Sequence, residues 1–501
     1  MKKIITILSA FLLCSFSIFS QSTFSSYCGY VKSFAMSWDD KCILISLGGV
    51  ISQTDTSTGN VYWTSQINYQ GQPFYVRSIT QTSDSNFVAL IAQIGTTSLI
   101  SALKVTASGT LLWVKKYFHT ATNIAWDLTH TQDGGFIMVG GGCSGENFAI
   151  RCDTEGNIIW QKQFRDTSTF GGSAFNISYA GNDNYYIAGM NLSINNDFNN
   201  ILFKINGAGN LLWFRKIIMD GPDWNGGLIA SNDGGATLAG TTNVLDSNVK
   251  YNYLAHFDST GNNFWIKVYM NSSTENHSNG LIQLDDGNYI ITGSVYYTDI
   301  RNVQMSNIKT DGNGNFIWAK TGGSSQSGGG YHSSFCIKKL SNSSFLVGSS
   351  FSFSKLNNNG YGWCYSDTIN MTSIIPPYTI ETPISPLVSN LNFISDTISY
   401  TYNIYPGFSP TICANITDVH SDVFDKKISI FPNPFLDELN FTTSNNEPSV
   451  ITLYDIASKK ILEQKFTNSV SINTKQLAKG LYLYEVQCGS SLCKKGKLVK
   501  N

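Results

Sequence analysis

The sequence has few charged residues and no surplus of either sign. Charged side chains make up 13% of its 501 residues, and the formal net charge is −1. A nucleic-acid binder needs a concentrated Lys/Arg surface to neutralise phosphates, so this composition argues against that class. Beyond the N-terminal apolar run, no stretch is long and apolar enough to span a bilayer. We therefore expect no nucleic-acid partner and no transmembrane segment in the mature protein.

The sequence also lacks the local motifs of metal, cofactor and catalytic sites. Its six histidines are scattered without HxH or HExxH spacing, and no cysteine pair has CxxC spacing. These absences argue against a zinc site and a thiol redox site. The glycine-rich run GGSSQSGGG has no phosphate-loop lysine, and DGNGN at Asp311 is better explained as a hairpin turn than as a calcium loop. We assign no catalytic residue, cofactor or metal.

The first twenty residues predict a signal peptide, residues 1–20. Lys2 and Lys3 precede an apolar run that ends in small residues, which is the layout of a cleavable export signal. The alternative is a lipoprotein anchored through Cys14, which is disfavoured because Leu13 stands where such signals have a small residue. Export makes disulfides chemically accessible. The pairing stays open: Cys143 with Cys152 and Cys488 with Cys493 are close enough to be hairpin neighbours, and Cys364 with Cys413 could close the segment that they flank.

What the sequence does contain is turn and strand formers: 44 glycines, 13% aromatic residues and many Asn, Ser and Thr. This composition favours an all-β fold. A turn followed by a strand that carries tryptophan recurs about every 50 residues, as in TGNVYW, SGTLLW and AGNLLW. The tryptophans of this series are Trp63, Trp113, Trp160, Trp213, Trp265, Trp318 and, in a weaker copy, Trp363. A second series alternates with it, as in QDGGFIMVG and DDGNYIITG.

Each repeat reads as four short antiparallel strands, and such a sheet must pack against its neighbours to cover both of its faces. Repeats of about 40 to 50 residues with this content are typical of a β-propeller. We predict about seven blades over residues 28–367. The six full-copy tryptophans are expected to dock each outer hairpin on the neighbouring blade. The turn glycine before each of them supplies the positive φ that a tight hairpin needs.

These repeats resemble known propeller repeats. The spacing from Asp55 through Gly59 to Trp63 resembles the tryptophan-docking repeat of quinoprotein-type propellers, and the run from DGGFIMVGG to GNIIWQKQF resembles repeats of exported Bacteroidetes proteins. The resemblance implies a propeller fold. It does not imply quinone chemistry, because the sequence has neither adjacent cysteines nor a cofactor-binding constellation.

After the repeats, residues 368–424 form a Pro/Ser/Thr-rich segment that we predict to be an extended, partly stranded linker. Residues 425–501 then predict about six short strands and a small Ig-like β-sandwich. The PNPF turn, LYDIASKKI, KGLYLYEV and the terminal KLVK closely resemble the C-terminal sorting domain (type A) of the type IX secretion system. The matching residues are Pro432, Asn433, Pro434, Phe435, Tyr454, Asp455, Gly480 and Tyr482. Ser458 and Lys459 depart from the family, which usually has Gly and Arg there; an ordinary accessory domain is the alternative.

The resemblance implies export by the type IX secretion machinery to the cell surface or the extracellular space, with outer-membrane attachment or release. The leading interpretation of the body is a binding or adhesion propeller for a glycan or protein. Trp38, Trp126 and Trp224 are its candidate ligand contacts because they lie off the repeat series, although local packing would also explain each of them. The alternatives are a polysaccharide-active hydrolase with its site at the channel, and a purely structural surface component.

Overall fold

The structure is a computed structural model. It describes residues 24–27, 31–37, 41–46, 50–56, 60–68, 74–93, 100–118, 123–142, 147–166, 169–193, 198–219, 223–245, 249–271, 274–297, 302–323, 334–340, 343–349, 352–362, 365–382, 387–390, 394–397, 401–408, 428–443, 448–455, 459–488 and 491–500. These residues form strands and no helix, which confirms the all-β prediction. Among them, accordingly, no helix has the length and hydropathy needed to cross a membrane. The chain divides into a body, Met1–Ile416, and a tail, Thr417–Asn501.

The body consists of short strands that follow one another along the chain in repeat units. The strands are β1 (Phe24–Tyr27); in unit 1, β2 (Val31–Met36), β3 (Lys41–Ser46), β4 (Val50–Asp55) and β5 (Val61–Asn68); in unit 2, β6 (Phe74–Gln81), β7 (Phe87–Gln93), β8 (Ile100–Val105) and β9 (Leu111–Phe118); in unit 3, β10 (Asn123–His130), β11 (Phe136–Gly142), β12 (Asn147–Cys152) and β13 (Ile158–Arg165); in unit 4, β14 (Thr169–Gly181), β15 (Asn184–Ser193), β16 (Phe198–Asn206) and β17 (Leu211–Met219); in unit 5, β18 (Asp223–Ala230), β19 (Ala236–Thr242), β20 (Tyr251–Phe257) and β21 (Asn263–Met270); in unit 6, β22 (Thr274–Gln283), β23 (Tyr289–Tyr297), β24 (Asn302–Thr310) and β25 (Phe316–Gly323); and in unit 7, β26 (Ser334–Lys339), β27 (Phe345–Ser349) and β28 (Ser352–Leu356).

Within every unit, consecutive strands pair in antiparallel order. Unit 7 receives its fourth strand from the other end of the repeat array, because β1 pairs with β28 from Phe24–Lys355 to Tyr27–Ser352. The sheets of units 3 and 4 also touch through a single pair, Gly141 with Ser173. The first strand of each unit lies innermost, facing a common cavity, so the arrangement is propeller-like.

The segment after the repeats adds a fifth strand to six of the described sheets. Its strands are β29 (Tyr365–Ile369), β30 (Thr372–Ile374), β31 (Tyr378–Glu381), β32 (Leu387–Asn390), β33 (Ile394–Thr397) and β34 (Thr401–Phe408). They pair in turn with the outer strands of units 6, 5, 4, 3, 2 and 1. We call residues 365–408 the belt. The predicted linker is therefore extended, but its first part is hydrogen-bonded into the body.

The belt also contributes side chains to the core. Ile369 and Met371 are 7% and 6% exposed and belong to the apolar cluster between units 5 and 6 that contains Leu254 and Tyr269. Ile369 lies opposite Ala319 of β25. Burial of apolar surface at these positions favours the bound belt by roughly 25 cal/mol per Å².

Each repeat tryptophan packs on the turn glycine of the next unit. These tryptophan–glycine pairs are Trp63–Gly109, Trp113–Gly156, Trp160–Gly209, Trp213–Gly261, Trp265–Gly314 and Trp318–Gly360. A Cβ placed on any of these glycines would lie between 2.5 and 3.1 Å from the indole, and each glycine has φ between 74° and 87°. The glycine thus serves both its own hairpin and the tryptophan of the preceding unit. Trp363 lies outside the described residues.

The cross-strand partner of each docked tryptophan is polar, and in units 2 to 6 it is a cationic or imidazole side chain. These partners are Lys104, Arg151, Lys204, His256 and Lys309. Several of them reach back to an aspartate in the first hairpin turn of the same unit: Lys104 to Asp84 at 2.7 Å and Arg151 to Asp133 at 3.0 Å. The turn aspartates of the second sequence series are therefore connected to the tryptophan series.

The tail consists of two small sheets around one core. Its strands are β35 (Ile428–Phe431), β36 (Glu438–Thr443), β37 (Ser449–Tyr454), β38 (Lys460–Phe466), β39 (Ser469–Asn473), β40 (Gly480–Cys488) and β41 (Ser491–Lys500). The sheet orders are β35-β36-β39 and β38-β37-β40-β41. Phe435, Phe441, Leu453 and Val486 are fully buried between them.

Candidate functional site

A cavity of about 940 Å³ lies at the centre of the body and is lined by the inner strands of all the units. Every inner strand breaks its register at the same place, where one extra residue is accommodated: in unit 2 between Val76 and Ser78, and in unit 3 between Ala125 and Asp127. The same break occurs in the other units. Such bulges re-aim a side chain. In units 2 to 7 the extra residue is one of those that line the cavity.

These bulge residues form the bulge ring, and the members that line the cavity are Arg77, Trp126, Phe175, Gly226, Asn279 and Phe335. Three of its large side chains lie on the neighbouring units 2, 3 and 4. The Arg77 guanidinium lies 4.2 Å from the Trp126 ring centroid, and Trp126 lies 5.3 Å from Phe175. Gly226 follows in unit 5 and contributes no side chain. A Cβ at Gly226 would lie 2.2 Å from the Ser278 carbonyl oxygen, so the backbone of unit 6 packs closely there.

Asp127, next to Trp126, holds the inner strands of three units together. Its Oδ1 accepts hydrogen bonds from the Ser78 hydroxyl at 2.5 Å and from the Leu128 amide at 2.9 Å, and its Oδ2 accepts one from the Ile177 amide at 3.0 Å. Burial raises the pKa of Asp127, and these three donors oppose that shift. Both carboxylate oxygens therefore bond to groups of the protein itself and not to a ligand.

His130 and Tyr179 also line the cavity, with their rings tilted and 5.1 Å apart, and the Gln132 amide donates a hydrogen bond to the Tyr179 hydroxyl at 2.6 Å. Burial and the nearby charge of Lys338 lower the pKa of His130. Lys338 is exposed within the lining. Its charge also acts on Asp127 and favours the ionised carboxylate.

The three candidate tryptophans have different placements. Trp126 lines the cavity. Trp224 is half-buried, lies two residues before the bulge of β18 and has the Lys250 ammonium 5.5 Å from its ring centroid. It is not among the residues that line the cavity. Trp38 lies outside the described residues.

Sequence reasoning missed Arg77, Phe175 and Asp127. A signal was present, because Arg77, Trp126 and Phe175 each precede a polar residue at the same position of the inner strand: Ser78, Asp127 and Asn176. The register break that turns these residues inward is not itself visible in the sequence, since none of the three positions carries a turn residue.

The described residues contain no group of three or more His, Cys, Asp or Glu side chains that could hold a metal ion. Cys152 is a free, buried thiol whose sulfur lies 3.8 Å from the Tyr117 hydroxyl oxygen. Burial raises its pKa to about 12. The Cys143–Cys152 disulfide that sequence spacing left open is therefore absent from the described structure, and Cys143 lies outside the described residues.

A second buried acid, Asp223, lies at the start of β18 and is fully buried. Among the described residues, no donor makes a hydrogen bond to either of its carboxylate oxygens. Burial raises its pKa from 3.8 to about 8; the Thr242 side chain and the Met219 backbone amide lie near enough to offset part of this shift, although neither meets the geometry of a hydrogen bond. Asp223 is thus a buried carboxyl that is costly to ionise.

Asp223→Asn should remove a pH dependence of stability. Between about pH 4 and about pH 8 the folded state holds this proton while the unfolded state releases it, so wild-type stability falls as pH rises through this range, by at most about 1.4 kcal/mol per pH unit. We expect the variant to melt above the wild type at about pH 8.5 and to converge with it near pH 4, in calorimetric scans of the full chain.

Asp84→Asn is a control in which the pH dependence of stability has the opposite direction. Partial burial would raise the pKa of Asp84, but Lys104, Thr82 and Asn86 outweigh it and hold the pKa well below its usual range. Its contribution to stability is present above the ordinary carboxyl pKa and is lost as the pH falls. Asp84→Asn should therefore lower the melting temperature near neutral pH. Equal melting of Asp223→Asn and wild type at both pH values would contradict the assignment of Asp223.

In the tail, the predicted sorting residues cluster around the chain end. The Phe435 amide donates to the Val499 carbonyl at 2.8 Å, and the Asn433 Oδ1 accepts from the Val499 amide at 2.9 Å. The Phe435 ring is fully buried, with the Lys500 ammonium 5.4 Å from its centroid. Pro432 and Pro434 are exposed. The PNPF turn is therefore hydrogen-bonded to the terminal KLVK segment.

The remaining motif residues support the same small fold. The Tyr482 hydroxyl donates to the Ala478 carbonyl at 2.7 Å, and the Tyr454 hydroxyl donates to Glu485 at 3.2 Å. The Asp455 carboxylate accepts a hydrogen bond from the Lys459 amide at 2.9 Å. Gly480 has φ of 149° and opens β40.

The geometry of body and tail defines an all-β protein with propeller-like repeats and a separate C-terminal sorting domain. Residues 429–501 match the family model described as Secretion system C-terminal sorting domain. The prediction of a type IX sorting domain is thereby confirmed. The chain is an exported protein of the cell surface or extracellular space, and its tail is the part that the secretion machinery recognises.

Solved structures similar to this chain are distant in sequence. The WD40 β-propeller domain of Doa1 has a TM-score of 0.38 and 14% identity, over 67% of this chain and 95% of that one. Drosophila Semaphorin 1a, extracellular domains 1-2, has a TM-score of 0.40 and 8% identity, over 67% and 87%. The extracellular domain of a putative one component system from B. thetaiotaomicron has a TM-score of 0.26 and 10% identity, over 96% and 100%. No curated protein matches the chain.

Proposed function

We propose that this protein is a ligand-binding β-propeller of a Bacteroidetes-type cell surface, which binds a glycan at the bulge end of its channel. Units 1 to 7 would be seven blades, with β1 closing the ring. The tail would be an Ig-like sandwich of type A, and residues 1–20 would be a signal peptide outside the described residues. Attachment to the outer membrane or release would follow export.

The observation that carries the binding proposal is the contiguous arc of Arg77, Trp126 and Phe175 on three neighbouring units. Binding sites combine apolar and aromatic walls with a few fixed polar groups, in cavities of about 300 to 1,000 Å³. The cavity of about 940 Å³ falls in this range. Aromatic and arginine side chains are also the residues that most often dominate binding energy.

A hydrolase is less well supported by the same cavity. Glycosidases that use two carboxylates place them on either side of the scissile bond. Among the described lining residues the only carboxylate is Asp127, and its oxygens already accept three hydrogen bonds. The lining therefore favours binding over hydrolysis.

Trp126→Ala should weaken ligand binding at least about ten-fold, a typical loss for an aromatic residue at the centre of a binding site. The indole is both a wall of the cavity and the surface on which Arg77 rests. The measurement is a calorimetric titration of the full chain with a glycan identified by array screening.

Trp224→Ala is the matched control, because Trp224 is half-buried and lies outside the cavity lining. It should change the affinity less than about two-fold, within the range of peripheral substitutions. Melting curves of both variants verify folding. Equal affinity of wild type and a folded Trp126→Ala would refute the channel as the binding site.

A further inference from the structure

We propose that the ligand of the bulge ring is an acidic glycan, and that Arg77 binds its carboxylate groups. This inference rests on the proposed function, which it narrows from glycans in general to uronate-containing glycans. The proposal is based on three features of the cavity. Arg77 is a cation without a counter-ion, the carboxylate oxygens of Asp127 already accept hydrogen bonds, and the rest of the lining is rich in neutral hydrogen-bonding groups.

Arg77 is a cation without a counter-ion in the described structure. No described carboxylate forms an ion pair with Arg77 or with Lys338. The Arg77 Nε is enclosed and has no hydrogen-bond partner there. A partly buried guanidinium remains charged at neutral pH, and enclosing a charge without a partner is unfavourable. An anionic group from a ligand would relieve this cost.

Asp127 does not fulfil this role. Its two oxygens accept the hydrogen bonds from Ser78, Leu128 and Ile177. Lys338, by contrast, is exposed and belongs to the residues that line the cavity. The charges available to a ligand are therefore positive, and complementarity favours a negative partner.

Trp126 holds Arg77 in a defined orientation. The guanidinium lies over the indole, 4.2 Å from its centroid, and the Phe175 ring packs against the indole at a centroid distance of 5.3 Å. A guanidinium fixed in this way can present two parallel N–H donors to a carboxylate, which is the geometry that arginine offers and lysine does not.

The remaining lining suits a polyhydroxylated molecule. Neutral hydroxyl and amide side chains also belong to the cavity lining: Ser78, Thr80, Gln81, Thr129, Gln132 and Ser178. Ser78 and Gln132 already donate to Asp127 and Tyr179, so their oxygens remain as acceptors. Such groups exchange hydrogen bonds with sugar hydroxyls as both donors and acceptors. This combination favours a glycan that carries carboxylates over a neutral glycan.

The test is a calorimetric titration of the full chain with uronate oligomers, namely oligogalacturonate, oligoalginate and hyaluronan oligomers, each beside its methyl ester. We expect at least one acidic oligomer to bind at least about ten-fold more tightly than its ester, and this preference to shrink at high salt. Arg77→Gln should remove the preference, and Arg77→Lys should retain only part of it. Lys338→Gln should reduce it less than Arg77→Gln does.

Lys267→Gln is the charge-matched control, because Lys267 lies on the outer strand β21 and away from the cavity lining. It should leave the preference unchanged. Equal binding of acid and ester, or a folded Arg77→Gln that still prefers the acid, would overturn the carboxylate proposal while leaving the binding propeller in place. Binding of neutral glycans and of no acidic oligomer would likewise overturn the carboxylate proposal and leave the binding propeller in place. Failure to bind any glycan would overturn both.

Discussion

Replacing Trp213 by alanine should lower the free energy of unfolding of the body by about 3 kcal/mol, the lower end of the range for large aromatic truncations because the indole is half-buried. The indole packs on Gly261 of the next unit, and its Nε1 donates to the Ser259 carbonyl at 3.1 Å. A loss of this size is a large part of a typical stability of about 5 to 15 kcal/mol. Denaturant unfolding of the full chain measures it.

Leu212→Ala is the control for this substitution, because Leu212 is 49% exposed on the opposite face of the same strand. A double-mutant cycle makes the test sharper. Gly261→Ala alone introduces both a strained positive φ and a Cβ 2.8 Å from the indole. In the Trp213→Ala background only the backbone strain remains, so the two losses should not add. Additive losses would contradict docking between the units.

The second large effect is expected in the belt. Ile369→Asp should destabilise the body by about 4 kcal/mol, because it places a carboxylate in the apolar cluster between units 5 and 6 without a partner. Unfolding of the full chain in denaturant measures this as well. The variant should also expose the outer edge of β25, which β29 covers.

Asn370→Asp introduces the same charge at the next position, where the side chain is exposed, and should have little effect. The pair therefore separates burial from charge. If residues 365–408 were an independent linker, both variants would unfold like the wild type. This outcome would contradict the pairing of the belt with the repeat units.

The repeat units could be predicted from the sequence because their determinants are local. The positive φ of Gly209 or Gly261 is required by a tight turn, and a tryptophan follows at a fixed distance. These two features recur with the same period, so they reveal the unit without knowledge of its neighbours. The packing partner of each tryptophan, the glycine of the next unit, follows once the units are stacked.

The belt could not be predicted in the same way. Its strands are as short as Thr372–Ile374, and several of its apolar side chains, such as Ile375 and Ile394, are exposed. They therefore lack the alternation that marks a half-buried strand. What makes them strands is the free edge of each repeat sheet, and strand preference at an edge depends on the partner.

The candidate site was predicted only in part for a similar reason. Trp126 was singled out because it lies off the repeat series, but Trp224, chosen on the same ground, lies outside the cavity lining. The two tryptophans differ in their position relative to the bulge. Trp126 is the bulge residue of its strand, whereas Trp224 precedes the bulge of its strand by two residues. A bulge is a property of pairing between strands, and it re-aims Arg77 and Phe175 together with Trp126.

We propose that the exported body binds a glycan and does not cleave it. The most direct test incubates the purified full chain with a glycan array and with soluble polysaccharides, and measures saturable binding and released sugars in the same samples. We expect saturable binding with no released sugar. Release of sugars would make the protein a hydrolase, and absence of binding to every glycan would contradict the proposed function.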